Sequence, residues 1–82
     1  MKLPRDLSGN EVAKLLAHHY GYRVTRTKGS PMLLTLTVAS NRHTVTVPRH
    51  RNVHIGTLDA IIANVAAFLD LSKREVFETL FD

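Results

Sequence analysis

Apolar and polar positions alternate along this chain with two different periods, and the change from one to the other divides it into six elements. Ser8-Gly9-Asn10-Glu11 has the spacing of a capping box, in which a serine hydroxyl accepts from the third helical amide and the glutamate reaches back to the serine amide. Val12, Leu15, Leu16 and His19 then fall at i, i+3, i+4 and i+7, a single helical stripe that Gly21 ends. The pattern predicts a helix over about 8–20. From Tyr22 to Arg26 the period becomes two, as in a strand, and Lys28-Gly29-Ser30-Pro31 reads as a turn. Met32, Leu34, Leu36 and Val38 alternate with Leu33, Thr35, Thr37 and Ala39, which predicts a second strand with one packed and one wetter face. After a polar turn at Ala39-Ser40-Asn41-Arg42, His43, Val45 and Val47 alternate with Thr44 and Thr46 until Pro48 removes a ladder donor.

Residues 49–56 follow neither period and end in a glycine, so they read as a basic loop, with Thr57 placed to cap the helix after it. Leu58, Ile61, Ile62, Val65, Ala66 and Leu69 form a complete stripe, and burying each large aliphatic side chain contributes roughly 1.5–3 kcal/mol before conformational entropy is subtracted. Ser72-Lys73-Arg74-Glu75 is a second capping box, opening a short helix with Val76, Phe77, Leu80 and Phe81 on one side. The expected order is α-β-β-β-α-α, an α+β fold. A three-stranded antiparallel meander buries one face by laying the helices on it, a two-layer sandwich. Met32, Leu34, Leu36 and Val38 should face the helices, which leaves Pro31, Leu33, Thr35 and Thr37 on the open side.

Eighty-two residues suit one domain, 1–82, and a hydrophobic share of 44 % is ordinary globular composition. Without cysteine there is no disulfide framework, thiolate zinc site or thiol nucleophile, and a reducing cytoplasm is the expected location. The opening Met1-Lys2-Leu3-Pro4-Arg5-Asp6 has no apolar run behind it, so no secretory signal is expected. The apolar stretch from Ala60 to Leu69 is half of the roughly 20 residues a membrane span needs. Single glycines at 9, 21, 29 and 56 give neither a dinucleotide fingerprint nor a P-loop, so no nucleotide cofactor is expected.

Charge is unevenly spread. Residues 1–56 carry nine lysines and arginines against Asp6 and Glu11, a net +7, and residues 57–82 are net −3. Such a distribution suits a polyanion, because neutralised phosphates release counterions, although a solvated basic face has the same composition. In a meander the first strand's end and the segment after the third strand can be neighbours, which would bring Arg26, Lys28, Arg49 and Arg51 together beside the Gly29 and Ser30 amides. Phosphates or the acidic side chains of a protein partner would both suit that patch.

Together, several segments resemble the HicA, or YcfA-like, family of small bacterial and archaeal toxins. They are Met1-Lys2-Leu3-Pro4-Arg5-Asp6-Leu7-Ser8-Gly9, Gly21-Tyr22, Lys28-Gly29-Ser30, Val47-Pro48-Arg49-His50 and Gly56-Thr57-Leu58. The resemblance implies a double-stranded-RNA-binding-domain-like fold, metal-independent endoribonuclease cleavage of messenger RNA, and neutralisation by a HicB-like antitoxin. The candidate RNA-binding set is Arg26, Lys28, Gly29, Ser30, Arg49 and Arg51, from the meander topology and charge, with His50, which matches a histidine common in the family. One departure bears on catalysis. The family motif reads Gly-Ser-His with the histidine catalytic, and here Pro31 follows Gly29-Ser30. Metal-independent RNA cleavage needs a group that moves a proton near neutral pH, and proline has none.

His43, His50 and His54 are the candidate substitutes. His43 shares strand parity with Val45 and Val47, which favours packing against the helices; His50 matches a histidine common in the family and suits an RNA-facing or a loop-structuring role; His54 reads as a solvated loop residue. The three lack metal-ligand spacing, and no metal is expected. His18 and His19 suit the negative end of the first helix. Tyr20 and Tyr22 could stack on a base, but their place at a helix–strand junction favours the core. The expected function is a HicA-like toxin component that binds RNA, with cleavage impaired by Pro31; the alternative is a non-catalytic module for an acidic protein partner.

Overall fold

A computed structural model describes residues 2–26 and 28–82; Met1, the first residue of the opening motif, lies outside them. The elements are α1 (Gly9–Tyr20), β1 (Arg23–Arg26), β2 (Met32–Val38), β3 (Asn41–Val47), α2 (Ile55–Leu69) and α3 (Lys73–Phe81), in the expected order. Both capping boxes are formed. Ser8 Oγ accepts from the Glu11 amide and Glu11 Oε1 from the Ser8 amide, each at 3.1 Å, and Gly21 closes α1 in the left-handed conformation at φ +80°. Ser72 and Glu75 repeat the arrangement at 3.0 Å, and these hydrogen bonds hold the Glu75 carboxyl below its ordinary value.

Two boundaries differ from the sequence expectation. Helix α2 starts at Ile55 with His54 as its N-cap, so Thr57 lies inside the first turn and does not cap. The reason is upstream: Val53 is buried and its amide donates to the Leu7 carbonyl at 2.7 Å, so the backbone is already fixed when the Leu58 amide closes the first helical turn on the His54 carbonyl. The second difference is the hairpin between β2 and β3. Its turn is only Ala39-Ser40, with Ala39 left-handed at φ +54°, and Asn41 and Arg42 belong to β3, paired with Val38 and Thr37. Polar side chains there reflect an exposed strand end rather than a loop.

The sheet order is β1-β2-β3, antiparallel throughout. Arg23, Thr35 and Thr44 lie on one rung, and the register shifts between Val24 and Arg26, where a bulge breaks the short β1. Met32, Leu34, Val45 and Val47 are buried with Val12 and Leu16 of α1, Leu58, Ile61, Ile62 and Val65 of α2, and Val76 and Leu80 of α3. Thr37, Thr44 and Thr46, at the alternate positions, are exposed. The helices therefore lie on one face and leave the other open, as the alternation predicts. Val38 is the exception on the packed face: it is 47 % exposed because the hairpin end of the sheet extends beyond the helices.

At the opposite end, the start of α1 and the segment leaving β3 run against each other. The Gly9 amide donates to the His50 carbonyl at 2.9 Å. A Cβ on Gly9 would collide with the Pro48 carbonyl oxygen and stand 3.2 Å from the Arg49 Cα. Gly9→Ala should therefore lower the unfolding free energy by about 1–3 kcal/mol, the cost of overpacking against backbone. Gly56→Ala, in a helix with open space around it, should be neutral or stabilising by up to about 1 kcal/mol. Urea unfolding of the two variants beside the parent checks the contrast, and equal effects at both positions would contradict it.

Candidate nucleic-acid interface

The Gly29-Ser30 turn and the post-β3 segment do meet. The Arg49 amide donates to Ser30 Oγ at 3.0 Å, Arg49 Nε to the Gly29 carbonyl at 2.9 Å, and Arg49 Nη1 to Asn10 Oδ1 at 3.2 Å. One arginine thus ties the β1–β2 turn, the end of β3 and the first turn of α1 together. The register explains why: Met32 pairs with Val47, so the residues just outside that rung, Ser30-Pro31 and Pro48-Arg49, leave the sheet side by side.

Of the residues singled out from sequence, Gly29, Ser30 and Arg49 are in direct contact. Arg49 positions the turn with groups that were expected to meet a ligand. Arg26 ends β1 and Lys28 lies in the turn, both exposed; His50 and Arg51 are exposed one and two residues past Arg49, with the His50 carbonyl taken by the Gly9 amide. Pro31 is half-buried between Ser30 and β2. A groove of about 390 Å³ opens beside Arg49 between α1 and β1, lined by Asn10, Ala13, Lys14, Ala17, Val24 and Met32 with Arg49.

Sequence reasoning missed a second set of residues. On the open face a groove of about 570 Å³ is lined by Gly21, Arg23, Thr25, Thr35, Leu36, Thr37, Arg42 and Thr44. Strand parity could have placed Arg23 there. Arg42 was hidden by its assignment to the turn. No aspartate or glutamate occurs between Glu11 and Asp59. Among the described residues the ion pairs are Lys73–Asp59 at 2.8 Å, between α3 and α2, and Arg74–Glu78 at 3.9 Å, within α3. Arg23, Arg26, Lys28, Arg42 and Arg51 form no ion pair among the described residues.

The histidines separate clearly. His43 is on the helix-covered face: its Nδ1 and the Tyr22 hydroxyl share a 2.8 Å hydrogen bond, and its ring stacks on Phe68 at 4.8 Å. It pairs with Leu36, four residues along β3 from Val47, or about 13 Å from the turn end at strand rise. It cannot act there. Tyr22 is buried and Tyr20 packs against the core, so neither presents a ring to a base. Burial, with Tyr20 beside it, pushes the Tyr22 hydroxyl up to about 12 and keeps it protonated. The side chain of His54, exposed at the head of α2, makes no capping hydrogen bond. No group of three potential metal ligands occurs among the described residues, and no single helix among them is long and apolar enough to cross a membrane.

A family model for the HicA toxin of bacterial toxin–antitoxin systems matches residues 9–66, which span α1, the whole sheet and most of α2. The chain belongs to the HicA toxin family. No curated protein and no solved structure matches it. HicA toxins pair with antitoxins, so a toxin component of such a system is the class to which the geometry above has to be related.

The His43 contacts carry a pH prediction. Burial lowers the His43 pKa from its ordinary 6.5, so the unfolded chain binds the proton more readily than the folded one. Stability from this site is complete above pH 6.5 and declines as pH falls through the lower folded value. His43→Gln should flatten the thermal-stability profile between pH 6.5 and about 5, above the ordinary carboxylate range. An unchanged slope would assign the acid sensitivity elsewhere.

Proposed function

We propose that this HicA-family chain binds RNA at the turn end of its sheet, that the family chemistry at this position is metal-independent RNA cleavage, and that Pro31 leaves binding with little or no turnover. The observation that carries the reading is the convergence of the Gly29-Ser30 turn on Arg49, with Arg26, Lys28 and Arg51 exposed around it and unopposed by any carboxylate among the described residues. Phosphate contacts dominate RNA affinity, and lysine and arginine near exposed backbone supply them.

Cleavage requires more than binding. A 2′-hydroxyl must lose a proton and the leaving oxygen must gain one, and a positioned acid–base group accelerates this by about 10²–10⁴-fold. At position 31 the side chain cannot titrate. His50 has an exposed ring in the same segment, but its main chain is engaged in holding α1. The partner we infer is a HicB-like antitoxin that competes for the same basic surface, in the cytoplasm, where a chain without cysteine needs no oxidising environment.

The test is a binding and cleavage assay on single-stranded RNA with the parent chain and Pro31→His. The parent should bind with a log–log salt slope of about −0.7 for each phosphate neutralised and cleave at or near background. Pro31→His should raise cleavage by about 100-fold or more and slow growth when expressed. A variant that neither cleaves RNA nor slows growth overturns the nuclease reading. A parent without RNA affinity at low salt leaves the acidic protein partner as the function of the basic surface.

A further inference from the structure

The open face of the sheet has a polarity that follows from counting protons. Thr25 Oγ1 lies 3.2 Å from the Leu33 carbonyl and 3.3 Å from Thr35 Oγ1, which lies 3.2 Å from Thr44 Oγ1. A carbonyl only accepts, and each hydroxyl has one proton. With all three contacts formed, Thr25 donates to Leu33, Thr35 to Thr25, and Thr44 to Thr35. Every hydroxyl proton in the row is then used within the protein. What the row offers a ligand is lone pairs.

The rim has the opposite character. Arg23 shares the rung of Thr35 and Thr44, and Arg42 lies two rungs along, across from Thr37 on the same face. Both are exposed, line the same groove and form no ion pair among the described residues. From strand spacing and rise their Cα atoms are roughly 12 Å apart. A guanidinium only donates. The groove therefore accepts at its floor and donates at its edges.

We infer that this open-face groove is a second RNA contact, in which Arg23 and Arg42 hold successive phosphates and the Thr25–Thr35–Thr44 row accepts from ribose 2′-hydroxyls. The inference rests on the RNA reading of the turn end and extends it to a site that distinguishes RNA from DNA. The alternatives fit less well. A carboxylate of an acidic protein could pair with either arginine but would meet only acceptors at the floor. DNA supplies the phosphates but lacks the donor, since the 2′-hydroxyl is the group that separates the two nucleic acids.

A 12-nucleotide single-stranded RNA and the DNA of the same sequence, titrated by fluorescence anisotropy, test the proposal. The parent should bind RNA several-fold more tightly than DNA. Arg23→Gln with Arg42→Gln should weaken RNA binding about tenfold and reduce the salt slope by about 1.4, two phosphates at 0.7 each. Thr35→Val, close in shape and favoured in strands, frees the Thr44 proton and removes an acceptor, so RNA affinity should fall toward the DNA value with DNA binding unchanged. Amide chemical-shift changes on RNA addition to the parent give a reading independent of any variant, and should include Arg23, Thr35, Arg42 and Thr44. If the parent binds RNA but the double variant keeps its affinity and slope, or these four amides stay still, the groove proposal fails and the turn-end reading stands. Equal parent affinity for RNA and DNA removes the ribose contact. No RNA binding by the parent overturns both.

Discussion

The close passage of two backbones at Gly9 and Pro48 is the constraint on which the rest of the arrangement depends. A hydrogen atom in place of a side chain lets the start of α1 lie against the segment leaving β3, where the Gly9 amide reaches the His50 carbonyl and, three residues further along, the Val53 amide reaches the Leu7 carbonyl. These two bonds fix the path between the sheet and α2, although residues 48–54 contain no regular element. Arg49 lies within that fixed path, so its guanidinium is positioned to take the Gly29 carbonyl and Asn10. Gly29 and Ser30 of the β1–β2 turn are therefore held by tertiary contacts.

Positive charge on this molecule thus divides into two kinds. Arg49 is engaged in structure, and its loss would disturb the shape of the turn as well as its charge. Arg23, Arg26, Lys28, Arg42 and Arg51 are exposed and lack carboxylate partners among the described residues. Such cations on a folded surface repel one another, and that self-repulsion is relieved when an anion binds. Of the seven acids, Asp6 and Glu11 lie at the start of the chain and in α1's capping box, and the other five lie on or at the ends of α2 and α3.

Much of the fold was legible because local chemistry and global packing agree. Capping boxes at Ser8 and Ser72, the glycine after Tyr20, and the alternation along β2 and β3 each name a conformation that the tertiary structure also favours. The exceptions required non-local information. His54 became the N-cap of α2 because Val53 is anchored by Leu7, some forty-five residues earlier in the chain. Arg42 entered the sheet because a two-residue turn preserved its register. The turn-end contacts were expected from meander topology alone, but not the use of Arg49 as their fastening, and not the threonine row, whose polarity depends on a carbonyl that no side-chain pattern records.

Position 31 is separable from the contacts that shape the turn beside it. It lies one residue before Met32, the first residue of β2, where no ladder amide is required, so proline's missing N–H costs the sheet nothing. The contacts that hold the site come from its neighbours: the Gly29 carbonyl, the Ser30 hydroxyl and Arg49. The contacts that fasten the turn are therefore made without the side chain at position 31. On the proposed reading, anion binding and proton transfer thus depend on different residues, because the hydrogen bonds that shape the turn come from Gly29, Ser30 and Arg49 and not from position 31.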